Sequence, residues 1–305
     1  MLERLSDRLP DVASATRTQS AAALEWVGMR GISVPVQVAG TPDRCRAGVA
    51  RLHAGVDLIR GDVRGIHMSR LYAHASELLA DAVLDAATLQ RLLRGFLDSH
   101  AGLSTRASAT LAFDLLLRRD ALISGLSGWK AYPVRIEAAL DDARFEVVLQ
   151  MGIGYSSTCP ASAALARQLI QQRFDADFGG TGPSLDRVRD WLGSEQGICA
   201  TPHGQRSEAS VRVRLSDGQD DLPFEPLVDS VEKALATPLQ TAVKRVDEQE
   251  FARLNGANLM FCEDAARRIY VALIEDARYA AFRITCEHFE SLHAHDAVAV
   301  AAHGL

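Results

Sequence analysis

Apolar residues recur along the chain at two spacings, which distinguish helices from strands. Intervals of three and four residues between positions 71 and 97 are typical of a helix. Strict alternation predicts a strand, and Val134-Arg135-Ile136-Glu137 alternates so regularly that one face of its strand should be wet. Strands are predicted over residues 107–117, 134–140, 145–151, 207–215 and 279–287.

The order of elements favours an α+β fold. Further helices are predicted over residues 163–172, up to Leu192, over 224–236 and over 261–274. Residues 1–45 look mostly irregular, apart from a strand-like run at 32–38, where Pro35 indicates a sheet edge. Strands, helices, strands, helices and a strand follow one another, and the two halves share a loosely similar plan, as an internal duplication would produce.

Composition places the chain among ordinary globular proteins. It has 305 residues, 48% apolar and 24% charged, and no apolar run approaches the roughly 20 residues that span a bilayer. The charged N-terminus lacks a signal-peptide core, so a cytoplasmic location is expected. A net charge of −6 argues against nucleic acid and anionic membranes as partners but leaves an anionic small molecule open.

Cysteine usage predicts a reducing compartment rather than a disulfide framework. The five cysteines are scattered and form no CxxC pair. Cys159 follows Ser156-Ser157-Thr158 and precedes a predicted helix. It could be a small buried apolar residue, or a thiolate ligand favoured by the amides of a helix start.

Other good metal ligands lie far from Cys159 in sequence. His203 is in a predicted loop, where its side chain could be a metal ligand or could simply be solvated. His293 and His295 would share a face in a strand, whereas Glu290 and His293 would share one in a helical turn. A polar tail is the plainer interpretation, but the stretch concentrates suitable ligands, and catalytic metals often draw ligands from distant segments.

Several charged residues have no distinctive spacing. Glu248 and Glu263 are expected by default to be surface carboxylates. His67 and Arg70 precede a long helix and could both be solvated. Lys130 is notable because the chain has only three lysines among its 33 basic residues. The glycine-rich run 178–184 lacks the lysine of a phosphate-binding loop and is interpreted as a connector.

Taken in order, these segments resemble the type IB GTP cyclohydrolases, prokaryotic enzymes that open the folate pathway. The resemblance runs from about residue 11 to residue 299. It is carried by Gly65-Ile66-His67-Met68-Ser69-Arg70, Lys130-Ala131-Tyr132-Pro133, Ser156-Ser157-Thr158-Cys159-Pro160, His203-Gly204-Gln205-Arg206-Ser207, Phe261-Cys262-Glu263-Asp264 and Glu290-Ser291-Leu292-His293.

The resemblance implies a single tunnelling-fold domain over residues 1–305, with two ββαα-like halves. In such a fold antiparallel sheets carry helices on one side and close into a barrel across the subunits of a homotetramer. It also implies hydrolysis of GTP to 7,8-dihydroneopterin triphosphate and formate, with a divalent metal ion (manganese, iron or zinc). The implied metal set is Cys159, His203, Glu248 and His293, with Cys159 and His203 acting in catalysis. Glu263 would bind guanine, and His67, Arg70, Lys130 and Arg206 are candidates for triphosphate or proton-transfer contacts.

Two features depart from the family pattern. Members often read Cys-Pro-Cys, whereas this chain has Ala161 at the third position, and the region 163–199 is expected to be a helical insertion. A related nitrile reductase, with a nucleophilic cysteine and NADPH, is one alternative, although His203 and His293 argue for a metal. A protein that binds metal or purine without turnover is another.

Overall fold

One antiparallel sheet contains all the named strands of the structure. The computed structural model describes residues 13, 17, 18, 21–39, 46–180 and 182–304, so most of the first twenty residues and residues 40–45, including Cys45, lie outside it. The sheet has eight strands, and their spatial order follows the chain. They are β1 (Leu24–Val38), β2 (Arg46–Leu58), β3 (Ala107–Asp120), β4 (Ser127–Leu140), β5 (Phe145–Thr158), β6 (Gly204–Leu215), β7 (Tyr279–His288) and β8 (Ala297–His303).

Helices cover one side of this sheet, which confirms the α+β class. They are α1 (Met68–Asp81), α2 (Ala86–Ser99), α3 (Pro160–Phe178), α4 (Leu185–Leu192), α5 (Phe224–Leu235), α6 (Arg245–Ala257) and α7 (Cys262–Leu273). The first helix packs on β1, α2 on β3 and β4, and α7 on β7 and β8. None of these helices has both the length and the apolar character that crossing a bilayer requires.

The two faces of the sheet differ in polarity, as the alternation predicts. Val134 and Ile136 of β4 are buried under the helices, whereas Arg135 points the other way and is exposed. The same alternation continues through β5 and β6. We call the face turned away from the helices the open face.

Strand direction decides which loops can meet. Successive strands are antiparallel, so the ends of β1, β3, β5 and β7 lie at the same edge as the starts of β2, β4, β6 and β8. We call this end of the strands the site edge and the opposite end the far edge. Both terms refer to strand ends and not to the outer strands β1 and β8. The segments that follow β5 and β7 and precede β6 all lie at the site edge.

The region predicted as helical between residues 71 and 97 is two helices. Residues 82–85 interrupt it, because Ala82 adopts an extended backbone and Asp85 caps the second helix. The carboxylate of Asp85 accepts a hydrogen bond of 2.6 Å from the backbone N–H of Thr88. Periodicity alone does not reveal such a break, because both helices keep their apolar sides on the same core.

Two strands and one helix have no counterpart in the prediction. The first strand begins at Leu24, well before the predicted run, and pairs along its length with the unpredicted β2. It is an outer strand of the sheet, which confirms the edge position inferred from Pro35. The outer strand β8 and the helix α6 were also not predicted, because both bury few of their side chains.

Helices α3 and α4 lie between two strands that are neighbours in the sheet. They pack on each other through Phe174, Phe178 and Trp191, whose ring centroids lie 4.9 to 5.9 Å apart. The indole N–H of Trp191 donates to Asp177 at 2.9 Å. The pair therefore has an apolar cluster of its own beside the sheet.

Glycine allows the closest approach of β1 to β2. Gly28 is paired with Gly55, and a Cβ atom on Gly28 would lie 2.1 Å from the carbonyl oxygen of Ala54. The indole of Trp26 covers Gly55 and occupies the space that a Cβ there would need. Both positions require glycine for spatial reasons rather than for a left-handed backbone.

We therefore expect Gly28→Ala to lower the free energy of unfolding by about 2 kcal/mol, because the added methyl group would contact backbone that cannot move freely. Gly48→Ala on β2 is the matched control, since a Cβ there meets only Val36 at 3.6 Å. Urea denaturation of both variants provides the measurement. Equal stability of the two variants would show that the β1–β2 contact is not tight.

Candidate active site

The strand pair β5–β6 brings Cys159 and His203 together at the site edge. Their strands end and begin at the register pair Thr158–Gly204, and the N–H of Cys159 donates to the carbonyl of His203 at 3.2 Å. Cys159 is the N-cap of α3, with Pro160 in the first turn. That helix is confirmed, although it begins earlier than the predicted residue 163.

Ser162 links the two residues through both of its polar groups. Its N–H donates to the sulfur of Cys159 at 3.5 Å, and its hydroxyl accepts from the backbone N–H of His203 at 3.1 Å. Cys159 is half-buried and forms no disulfide with the other cysteines that the structure describes. Its sulfur therefore lies at a helix start and can accept hydrogen bonds, as a thiolate ligand requires.

The imidazole of His203 is held in one tautomer by Gln205. The amide nitrogen of Gln205 donates to Ser157 at 3.0 Å, so its oxygen faces the Nδ1 of His203 at 3.1 Å. Nδ1 must then carry the hydrogen, which leaves the lone pair on Nε2. A ring oriented in this way is suited to bind a metal through Nε2.

Glu290 is the carboxylate that the structure places beside His203. Its Oε2 lies 3.8 Å from Nδ1 of His203 and is buried without a hydrogen-bond partner among the described residues. Sequence reasoning reaches Glu290 only as part of a Glu-x-x-His pattern. An unpartnered buried carboxylate oxygen is costly, and a cation at this edge would relieve that cost.

Glu263 reaches the same edge through the start of α7. The N–H of Met260 donates to the carbonyl of Thr158 at 3.2 Å, which ties this helix start to the end of β5. The pKa of the Glu263 carboxyl is lowered because its own backbone N–H donates to it, as does the Cys262 thiol at 3.3 Å. Glu263 is exposed and is therefore an ionised acceptor at neutral pH.

His288 is a buried neighbour of these carboxylates that was not among the predicted site residues. It is the last residue of β7, is buried, and its Nε2 lies 2.9 Å from the hydroxyl oxygen of Tyr155. Burial lowers its pKa, while the charges of Glu290 and Glu263 act in the opposite direction. Both carboxylates thus act on the same buried ring.

The remaining members of the implied metal set lie outside this cluster. His293 is exposed in the loop between β7 and β8, and its ring stacks on that of His295 with centroids 5.1 Å apart. Glu248 is exposed in the first turn of α6. Within the described residues, no three histidine, cysteine or acidic side chains are close enough to hold a metal ion together.

The predicted phosphate contacts are divided between the two edges. Arg206 is exposed on β6 at the site edge, where its carbonyl accepts from the N–H of Phe289 at 3.1 Å. His67 and Arg70 instead lie at the start of α1, which follows β2 at the far edge. The guanidinium of Arg70 donates there to the carbonyl of Ser99 at 2.7 Å.

Lys130 is enclosed between β4 and α5. Its ammonium group lies 2.7 Å from Glu232 and 3.3 Å from the carbonyl of Gly154, and the hydroxyl of Tyr132 donates to the same carboxylate at 2.7 Å. Burial lowers the pKa of Lys130, and Glu232 partly offsets that effect. The rare lysine therefore has its charge matched inside the subunit.

Comparison with known proteins identifies relatives over nearly the whole chain. A family model described as type I GTP cyclohydrolase folE2 matches residues 9–299. A protein named GTP cyclohydrolase FolE2, from Pseudomonas putida (strain GB-1), is 51% identical over 292 residues, which cover 96% of this chain and 95% of that protein.

Solved structures show a weaker likeness. The uricase of Arthrobacter globiformis has a TM-score of 0.46 at 11% identity, covering 93% of this chain and 95% of that one. A highly active mutant of the Bacillus sp. TB-90 urate oxidase has a TM-score of 0.47 at 9% identity, covering 91% of this chain and 98% of that one. Such values carry no information about the reaction.

We expect Glu232→Met to lower the free energy of unfolding by about 3 kcal/mol, because it leaves the ammonium of Lys130 buried without a counter-charge. The double variant Lys130→Met/Glu232→Met should regain most of that loss. Urea denaturation compares the two. A double variant as unstable as the single one would mean that the loss of stability comes from lost packing rather than from the unpaired ammonium group of Lys130.

The thiols near the site should differ in reactivity with pH. Burial raises the pKa of Cys262 to about 11 and that of Cys286 to about 12. At pH 8 about one Cys262 thiol in a thousand would be ionised, so iodoacetamide should modify the exposed Cys199 and spare both of them. Mass spectrometry of the labelled peptides gives the measurement. Rapid labelling of Cys262 at pH 8 would contradict this account.

Proposed function

The chain belongs to the type I GTP cyclohydrolase folE2 family and is a hydrolase that acts on GTP in pterin synthesis, and from this we propose that it releases C8 of guanine as formate with the help of a divalent metal ion bound at the site edge. The product would be 7,8-dihydroneopterin triphosphate. The observation that carries the proposal is the contact between Cys159 and His203 beside the unpartnered carboxylate oxygen of Glu290.

The donors at this edge fit a divalent metal in chemical type. A thiolate, an imidazole and a carboxylate together suit zinc, iron or manganese, and they do not select among the three. Cys159 and His203 would hold the ion, with Glu248 and His293 completing the set from neighbouring exposed segments. A bound metal ion would lower the pKa of a coordinated water molecule towards neutrality.

Glu263 would recognise the guanine base. Its carboxylate can accept hydrogen bonds from N1–H and from the exocyclic amine, two donors that adjoin each other only in guanine. Adenine offers no such pair and would leave the carboxylate unsatisfied, which is a strong basis for rejection. The lowered pKa of Glu263 keeps it ionised for this role.

His203 and Arg206 would handle protons and phosphate. The contact of Nδ1 with Gln205 leaves Nε2 of His203 as the nitrogen that could bind or exchange a proton. Arg206 is the triphosphate candidate exposed at the site edge. His67 and Arg70 could reach a triphosphate there only from another subunit, and Lys130 only by leaving Glu232.

We also propose a homotetramer with sites at subunit interfaces. The sheet has two outer strands, β1 and β8. Within the described residues the outer side of β1 is bridged near its end, where Gln37 pairs with Val83, and the remaining outer sides could pair with a second copy. The metal set is not assembled within the described part of one chain, so a neighbouring subunit could complete the site or press the β7–β8 loop inward.

Purified protein supplied with manganese, iron or zinc should convert GTP to formate and to a pterin that fluoresces after oxidation. Cys159→Ala and Glu263→Gln should each bring turnover below detection while leaving the circular dichroism spectrum unchanged. Cys199→Ala is the matched control, because this thiol is exposed beyond α4, and it should remain fully active. Absence of formate with all three metals would reject the proposal.

A further inference from the structure

The open face of β6 and β7 carries like charges directly opposite each other. The register pairs Arg212 with Arg283, and both side chains point away from the helices. Like charges in directly opposed positions destabilise a sheet. A negative charge between the two side chains would relieve this repulsion.

The carboxylates near this pair are too few to neutralise it. Glu137 accepts from Arg212 at 2.7 Å, but the same carboxylate also accepts from Arg135 at 2.8 Å. Neither Arg283 nor the adjacent Arg214 makes a side-chain hydrogen bond or ion pair within the part of the chain that the structure describes. Two guanidinium groups on one small area therefore remain unmatched.

A cavity of about 300 Å³ adjoins these side chains towards the far edge of the sheet. Three arginines line it, Arg144, Arg212 and Arg214, together with Glu146, Val148 and Gly304. Arg144 is partly neutralised by Glu146, at 2.9 Å. The cavity has room for a small anion beside the arginines.

Neighbouring pairs on the same two strands limit the position of an anion. Ser210 lies opposite Thr285, one step towards the site edge, and offers a hydroxyl that already accepts from Gln150 at 2.9 Å. The next pair is Glu208 opposite Glu287, which would repel an anion. An anion would therefore bind beside Arg212 and Arg283, where the hydroxyls of Ser210 and Thr285 could also donate hydrogen bonds to it.

We propose that the open face binds a multivalent phosphate anion between Arg212 and Arg283, with Arg214 as a third contact. Guanidinium groups bind phosphate oxygens in pairs, and a chain of two or three phosphates carries enough charge to match the unpaired arginines. This phosphate site lies on the half of β6 that is closer to the far edge. The candidate active site lies at the site edge, beyond Gly204, the first residue of β6. The site on the open face is thus a second site for phosphate, separate from the triphosphate contact assigned to Arg206.

The probe is inorganic pyrophosphate, titrated calorimetrically into the full-length protein at low ionic strength. The double variant Arg214→Gln/Arg283→Gln should raise the dissociation constant at least tenfold. Arg94→Gln, at an exposed position on α2, is the matched control with a single charge removed and should leave the constant unchanged. Circular dichroism verifies folding, and if the double variant fails to fold, Arg283→Gln alone is measured, with an expected loss of at least threefold.

Three outcomes would overturn the proposal. Pyrophosphate could show no saturable binding, or the double variant could bind it as tightly as the parent protein. The loss of pyrophosphate affinity could also appear in Arg206→Gln and not in the double variant, which would place the anion at the site edge. GTP turnover is not used as the readout, so a failed cyclohydrolase assay and a failed binding test remain distinguishable.

Discussion

The antiparallel pairing of β5 with β6 is the constraint on which the candidate site depends. The ladder runs to Thr158 and Gly204, and the hydrogen bond from Cys159 to His203 extends it by one more step. Two residues separated by α3 and α4 are thereby held as close as cross-strand neighbours. The two helices between them can vary in length without moving either residue, because the strands alone set their separation.

A change in the buried face of the sheet supports this arrangement. Under most of the helices that face is apolar, but towards the site edge it becomes polar. There Ser157 lies 2.8 Å from Ser207 and receives a hydrogen bond from Gln205. Groups of this kind are costly to bury unless each has a partner, and once paired they fix side-chain positions closely. The orientation of His203 is one result, since Gln205 can face it only by turning its amide to Ser157.

How much of the molecule could be predicted from sequence depended on how much of each element is buried. Strongly alternating strands such as β4 and β6 were predicted, though they are longer in the structure. The glycine- and alanine-rich β2 was missed because its weak apolar pattern depends on pairing with β1 and β3.

Prediction of the candidate site was likewise limited to features that are local in the sequence. Cys159 and His203 belonged to recognisable motifs, and the structure brings them together. The position of Glu290 beside His203 could not be predicted, because it depends on where the end of β7 lies relative to the start of β6. His288 lies one residue beyond the predicted strand 279–287, and no signal in the sequence indicates its partner Tyr155.

Strand direction also limits how subunits could complete the site. If β8 paired antiparallel with β1 of a second chain, that chain would run with its own site edge on the same side, because β8 starts at the site edge and β1 ends there. A barrel closed in this way would gather the site edges of its subunits at one rim and the far edges at the other. Arg70 would then stay at the rim opposite Cys159, and only end-to-end contact between barrels could bring the two together. Arg206 needs neither such a contact nor, as Lys130 does, release from an ion pair with Glu232, which makes it the strongest choice for the triphosphate.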